Sequence, residues 1–159
     1  MVDASHPNCR AVQQALEDAG AAGQVRVLGE AAPTAAKAAE QLGTEVGAIA
    51  NSLIFATDTG EPVLVLASGA HRVDTFRAAV VLGAQRLDRA TPELVRQATG
   101  QPIGGVAPVA HPKPLRALID NDLARYCTVW AAGGVPHAVF PTSFDELVRI
   151  TGGLPADIA

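Results

Sequence analysis

The sequence predicts a mixed α/β domain: a mixed β-sheet with short helices around it. Three observations carry that reading. Short apolar-periodic segments recur between polar starts and glycine stops, as capped helices do. Between them lie alternating or continuous apolar runs, one pair of them joined by the turn-forming "DTGEP". No internal repeat, low-complexity segment or linker divides the 159 residues, so a single domain over 1–159 with room for a proper core is expected.

The elements follow in order. Val12, Ala15, Leu16 and Ala19 keep the i, i+3, i+4, i+7 rule, with Ser5 as the expected cap, Pro7 in the first turn and Gly20 at the stop. "QVRVLGE" (24–30) alternates as a strand does. "PTAAKAAEQLG" reads as a helix capped by Thr34 and stopped by Gly43. After a turn at Gly47, "NSLIFATDTGEPVLVLASG" reads as a β-hairpin. Asp74 is placed to cap a helix through "TFRAAVVLG", with Phe76, Ala79 and Val80 expected inward, and 84–88 is a short strand. Thr91, Pro92 and Gly100 frame the next helix, and Ser143 with Glu146 forms a capping box for the last, which Gly152 ends. "LRALID" and "TVWAAGG…HAVF" read as strands, and Asp120 and Asp122 as caps of a short helical turn.

Composition narrows the function. Hydrophobic residues make up 48% and charged residues 18%, the balance of a globular chain. The longest apolar runs, such as 63–67 and 78–82, fall far short of the ~20 residues of a membrane-spanning helix. "MVDASHPNCR" has neither the basic lead nor the apolar centre of a signal peptide, and a cytoplasmic chain without membrane partners is expected. Net charge is −4 and only Lys37 and Lys113 are lysines, so no basic face is present to grip DNA or a long stretch of RNA. Cys9 and Cys127 stand in no metal or redox spacing, and no His-Glu-x-x-His pattern occurs, so no metal site is expected. The absence of Gly-x-Ser-x-Gly leaves covalent catalysis without support.

The candidate chemistry lies in loops. In "GQPIGGVAPVAHPKP", glycines and prolines fix the backbone while leaving N–H and C=O groups available to cradle a ligand or an oxyanion; an ordinary irregular connection is the alternative. No Gly-Lys-Ser/Thr follows, so it is not a phosphate P-loop. "WAAGGVPHAVFP" repeats the theme: Gly133 and Gly134 precede His137, which either serves a substrate or is a satisfied core histidine. Arg72, in the Ser-Gly turn that begins at Ser68, is suited to a phosphate or carboxylate. In "IANSLIF", Asn51 and Ser52 are polar residues in an apolar strand, where an unpaired buried amide costs roughly 1–3 kcal/mol.

"GGVAPVAHPKP" paired with "AAGGVPHAVFP", together with "AAEQLGTEVGAIANSLIF", "SGAHRVD" and "LVRITGG", resembles the YbaK/prolyl-tRNA-synthetase-associated domain family of trans-acting aminoacyl-tRNA deacylases, from Thr34 onward. The resemblance implies a partly barrel-like mixed sheet surrounded by short helices. It also implies cofactor-free hydrolysis of the ester joining a wrong amino acid to the tRNA 3′ end. The Gly- and Ala-rich segments around the expected pocket point to a small amino acid, and the acidic net charge to a synthetase or elongation factor as delivering partner. By the same matching, the G-x-x-x-P loop 104–108, with Gly104, Gly105 and Pro108, borders the aminoacyl pocket, and His137 falls at its rim. Many members carry a lysine where this chain has Asn51; an amide offers a neutral hydrogen bond in place of a charge. Asn51, Gly104, Gly105, Pro108 and His137 are the expected catalytic set, with Thr34, Ser52, Ser68, Arg72, Gly133 and Gly134 as substrate contacts. A non-catalytic module binding an aminoacyl group, amino acid or nucleotide is the alternative that the change at Asn51 supports.

Overall fold

A computed structural model describes residues 5–159. The strand β3 (Pro62–Ser68) explains the architecture best, because nearly all of it is buried. Val63 and Val65 pack into one apolar cluster with Phe55, Ala78, Ala79, Leu118 and Ile158. Leu64 and Leu66 pack into the other, with Val12, Leu16, Ile119, Phe140 and Leu147. A strand covered on both faces needs a continuous apolar run, which "VLVLA" supplies.

β3 forms the expected hairpin with β2 (Ile49–Thr57), in register from Ala50↔Ser68 to Ala56↔Pro62. On its other edge β3 runs parallel to β5 (Arg116–Asp120), and β5 runs parallel to β8 (Leu154–Ala156). β2 pairs parallel with β6 (Val129–Ala132), which is antiparallel to β7 (Ala138–Thr142), which in turn holds β1 (Arg26–Val27). β4 (Leu87–Arg89) pairs with the far end of β2. The sheet is therefore mixed, with eight strands in the order β1-β7-β6-β2-β3-β5-β8 and β4 beside β2.

Among the described residues five α-helices surround it: α1 (Pro7–Asp18), α2 (Ala35–Leu42), α3 (Thr75–Leu82), α4 (Pro92–Thr99) and α5 (Phe144–Thr151). The side chains of Thr34, Asp74, Thr91 and Ser143 accept first-turn N–H groups, and Gly43, Gly83, Gly100 and Gly152 end their helices at φ of 65–73°. The capping box of α5 is half formed. Ser143 Oγ accepts the Glu146 N–H, but the Glu146 carboxylate takes the Thr142 hydroxyl at 2.7 Å.

Some details differ from the sequence reading. His6 caps α1 through Nδ1 in place of Ser5, because the helix starts at Pro7 and the cap must accept the Asn8 N–H. On α3, Ala79 is buried as expected, but Phe76 and Val80 face outward at 78% and 65% exposure. The inward stripe is Ala78 and Ala79, whose small side chains fit closely under the sheet. The strand expected over 24–30 shrinks to β1, since the Leu28 and Ala32 N–H groups bond the His137 and Pro136 carbonyls instead. β4 starts at Leu87 because Asp58 takes the Gln85 and Arg86 N–H groups in a turn.

Candidate functional site

The site begins with a gap in the sheet. β6 meets β2 only at Ile49 and Ala50, and β4 meets it only from Phe55 to Thr57. Residues 51–53 therefore have no ladder partner on that edge. The Ile49 carbonyl bonds Gly69 beside β3, whereas the Ile54 carbonyl bonds Ala90 on the opposite side. Backbone direction alternates along a strand, so Ser52 turns its N–H and C=O into the gap.

A two-part pocket wraps this edge. The inner recess has a volume of about 40 Å³, with Ala32, Ala38, Ile49, Ala131, Ala138 and Val139 in its walls. The outer cleft has about 600 Å³ and extends past Phe55, His71, Arg72, Arg89 and Ile103. Both share Pro33, Thr34, Ala35, Asn51, Ser52, Gly104 and Val106, which form the throat between them. Because the pocket surrounds an unpaired edge, Asn51 and Ser52 line it from successive positions of one strand.

Ser52 Oγ is the sole buried side-chain polar atom without a hydrogen-bond partner among the described residues. Buried hydroxyls are ordinarily satisfied, and one left alone at a throat is poised for a ligand. Thr34 adds a hydroxyl that caps α2 by accepting the Lys37 N–H at 3.3 Å.

Gly104 closes the throat from the loop side. Its φ is +87°, a conformation that strains any residue with a side chain, and a Cβ there would crowd the Pro33 Cα at 3.2 Å. Gly105 backs against Val135 and Pro136, where a Cβ would come within 2.5 Å of the Val135 carbonyl carbon. Gln101, which sequence reasoning did not single out, holds the loop. Its Oε1 accepts the Ala107 N–H at 2.6 Å, and its Nε2 donates to the Val109 and Ala110 carbonyls at 3.3 Å. Ala110 has φ +69°, a left-handed conformation costly for a residue with a side chain.

Thr34, Asn51, Ser52 and Gly104 thus meet in the throat, and Arg72 lines the outer cleft. The other candidates sit elsewhere. Pro108 lines a separate cavity of about 220 Å³ with His111. There the His111 Nε2 lies 2.8 Å from the Ala107 carbonyl, and burial pushes the imidazole pKa below its ordinary 6.5. Ser68 is buried, its hydroxyl donating to the Gly47 carbonyl and its N–H to Asp120. Gly133, Gly134 and His137 form the turn that joins β6 to β7, behind the recess walls Ala132 and Ala138. The Gly133 N–H bonds the Ala138 carbonyl, the Gly134 carbonyl accepts the Asn8 amide, and the His137 carbonyl accepts the Leu28 N–H.

Asp120 caps the following 3-10 turn as expected, through the Asp122 N–H, and also receives His71. His71 bridges Asp120 at 2.9 Å and Asp122 at 2.8 Å, one with each ring nitrogen. Among the described residues, no titratable side chain lines the recess or throat. The described residues contain no group of three side chains placed to hold a metal ion, and none of their helices is long and apolar enough to cross a membrane.

Comparison with known proteins identifies the family of the fold. The sequence profile of the aminoacyl-tRNA editing domain matches residues 29–150. A crystal structure of a candidate trans-editing enzyme for prolyl-tRNA synthetase superposes with a TM-score of 0.90 at 45% identity, over 96% of this chain and 97% of that one. The proline–tRNA ligase of Oleidesulfovibrio alaskensis is 33% identical over 116 residues, 73% of this chain but 20% of the ligase. The chain thus spans about a fifth of that ligase's length. An uncharacterised protein of Bacillus subtilis, YwhH, is 29% identical over 114 residues, 72% of each chain. The profile match over residues 29–150, with a scaffold shared along nearly the whole chain, places this chain in the aminoacyl-tRNA editing domain family.

Proposed function

We propose that the protein hydrolyses the ester of a tRNA mischarged with a small amino acid. The observation that carries the proposal is the throat, where an unpartnered Ser52 hydroxyl and an unpaired strand edge face a narrow alanine-walled recess. The recess takes the amino-acid side chain, and its volume of about 40 Å³ favours the smallest ones. The ester carbonyl then lies in the throat, with the nucleotide in the outer cleft.

In the reaction, water oxygen adds to the carbonyl carbon and the bond from that carbon to the ribose oxygen breaks. The ribose oxygen leaves as a hydroxyl. Negative charge develops on the carbonyl oxygen, and hydrogen-bond donors fixed in advance stabilise it more than water can. The Asn51 amide, the Ser52 hydroxyl and N–H, and the Gly104 backbone are the donors available. With no titratable side chain in the throat, proton movement falls to solvent and to the neighbouring ribose hydroxyl of the substrate. Gly105 and Pro108 hold the loop, and the 133–137 turn shapes the recess. A synthetase or elongation factor delivers the tRNA, because the net charge of −4 gives bare tRNA little to hold.

The test is release of labelled amino acid from mischarged tRNA by the natural protein beside Asn51→Lys and Ser52→Ala. Turnover by the natural protein that drops in Ser52→Ala supports the reading. Binding of the aminoacyl end without cleavage identifies a non-catalytic binding module instead.

A further inference from the structure

The outer cleft is charged unlike the rest of the molecule. The chain carries 16 acidic residues against 12 lysines and arginines, yet among the described residues no Asp or Glu lines the cleft. Its charged residues are Arg72 and Arg89, with His71 beside Arg72. Arg77, Arg86, Arg116, Arg125 and Arg149 each have a carboxylate within 4 Å, whereas neither Arg72 nor Arg89 has an ion-pair partner among the described residues.

Neither arginine is neutralised by a carboxylate among the described residues. Arg89 lays its guanidinium over the Phe55 ring, 5.7 Å from the centroid, an aromatic contact that leaves its N–H groups available. Arg72 follows directly on His71, whose ring is pinned between Asp120 and Asp122. Those two carboxylates lie outside the cleft lining and are turned to the imidazole. The floor between the arginines is the apolar stretch of β2 from Leu53 to Phe55.

We propose that Arg72 and Arg89 form a phosphate clamp. They hold the phosphate on the 5′ side of the nucleotide whose ribose carries the ester, and so provide, in the cleft that adjoins the throat, the positive charge that the throat lacks. The proposal rests on the cleft taking an aminoacyl nucleotide. A guanidinium fork suits a phosphate, and two such forks lining one cleft fix where along the nucleotide the ester must fall. The same clamp accepts a free mononucleotide or the diester of a nucleic-acid 3′ end.

Calorimetric titration with adenosine, 5′-AMP and the trinucleotide CpCpA tests it. The phosphate-bearing probes bind at least about tenfold more tightly than adenosine, the scale of one charge-assisted hydrogen bond. That gain disappears in Arg72→Ala/Arg89→Ala, returns largely in Arg72→Lys/Arg89→Lys, and is untouched in Arg10→Ala, an exposed arginine on α1. A gain for CpCpA alone assigns the clamp to a diester; a gain for 5′-AMP as well admits free nucleotides. Equal binding of all three probes, or a gain that survives the double alanine variant, overturns the clamp. Hydrolysis measured alongside separates the two readings. Cleavage by the natural protein without any arginine-dependent phosphate gain removes the clamp alone, and a phosphate gain without cleavage of any ester removes the catalytic reading alone.

Discussion

Replacing Gln101 with leucine tests whether one buried amide holds the loop that closes the throat. Gln101 is 2% exposed and Ala107 fully buried, so after the substitution no water reaches the Ala107 N–H that Oε1 accepts at 2.6 Å. A buried donor left unsatisfied costs about 1–3 kcal/mol. The Val109 and Ala110 carbonyls belong to half-buried residues. They recover part of their bonding from solvent and lose roughly 0.5 kcal/mol each. Together the loss is about 2–4 kcal/mol, a large share of the 5–15 kcal/mol that holds a typical domain. With a urea slope of about 2 kcal/mol/M, the unfolding midpoint falls by about 1–2 M. Gln101→Glu keeps the acceptor for Ala107 but sets a buried carboxylate against the Val109 and Ala110 carbonyl oxygens, so at neutral pH its midpoint falls at least as far as that of Gln101→Leu. Hydrolysis drops with stability in Gln101→Leu, because Gly104 and Val106 sit on the released loop. A midpoint within about 0.3 M of the natural protein would show that the loop is held by other means.

Ser52→Ala removes a buried hydroxyl that has no partner, so thermal stability is unchanged or rises by up to about 1 kcal/mol, while deacylation falls roughly tenfold or more. Melting and turnover measured on one preparation check both signs, and a destabilised but fully active variant contradicts the role given to the throat. Ala38→Val adds two carbons to a recess wall and cuts hydrolysis of alanyl esters more than glycyl ones, read as a ratio of kcat/KM values. For His111, burial holds the folded pKa below the ordinary 6.5, so its contribution to stability is full above that value and is lost as pH falls through the folded pKa. Urea midpoints between pH 7 and 5 decline less steeply in His111→Gln than in the natural protein.

The sequence exposes what is local and hides what needs a distant partner. Helix caps at Thr34, Asp74, Thr91 and Ser143 are legible because the cap and the N–H groups it accepts lie within three residues. The β2–β3 hairpin is legible because a short turn fixes its register. β8 escapes notice, since three residues including a proline carry no period and gain their pairing from β5, some 35 residues away. Phe76 and Val80 satisfy the apolar spacing of α3, but alanines occupy the stripe that meets the sheet. Asn51 and Ser52 stand out as polar residues in an apolar run, and the structure supplies the reason: strands β6 and β4 leave that edge open. Gln101 and Arg89 give no such signal. One acts through carbonyls up to nine residues on, the other through the register that sets β4 against β2.

The most direct measurement is release of amino acid from tRNAs carrying glycine, alanine, serine, cysteine, leucine or phenylalanine, each at matched concentration. The account predicts rapid release for one or more of the small amino acids and none above the spontaneous rate for leucine and phenylalanine. Release that ignores side-chain size, or no release of any of the six by a folded protein, would contradict it.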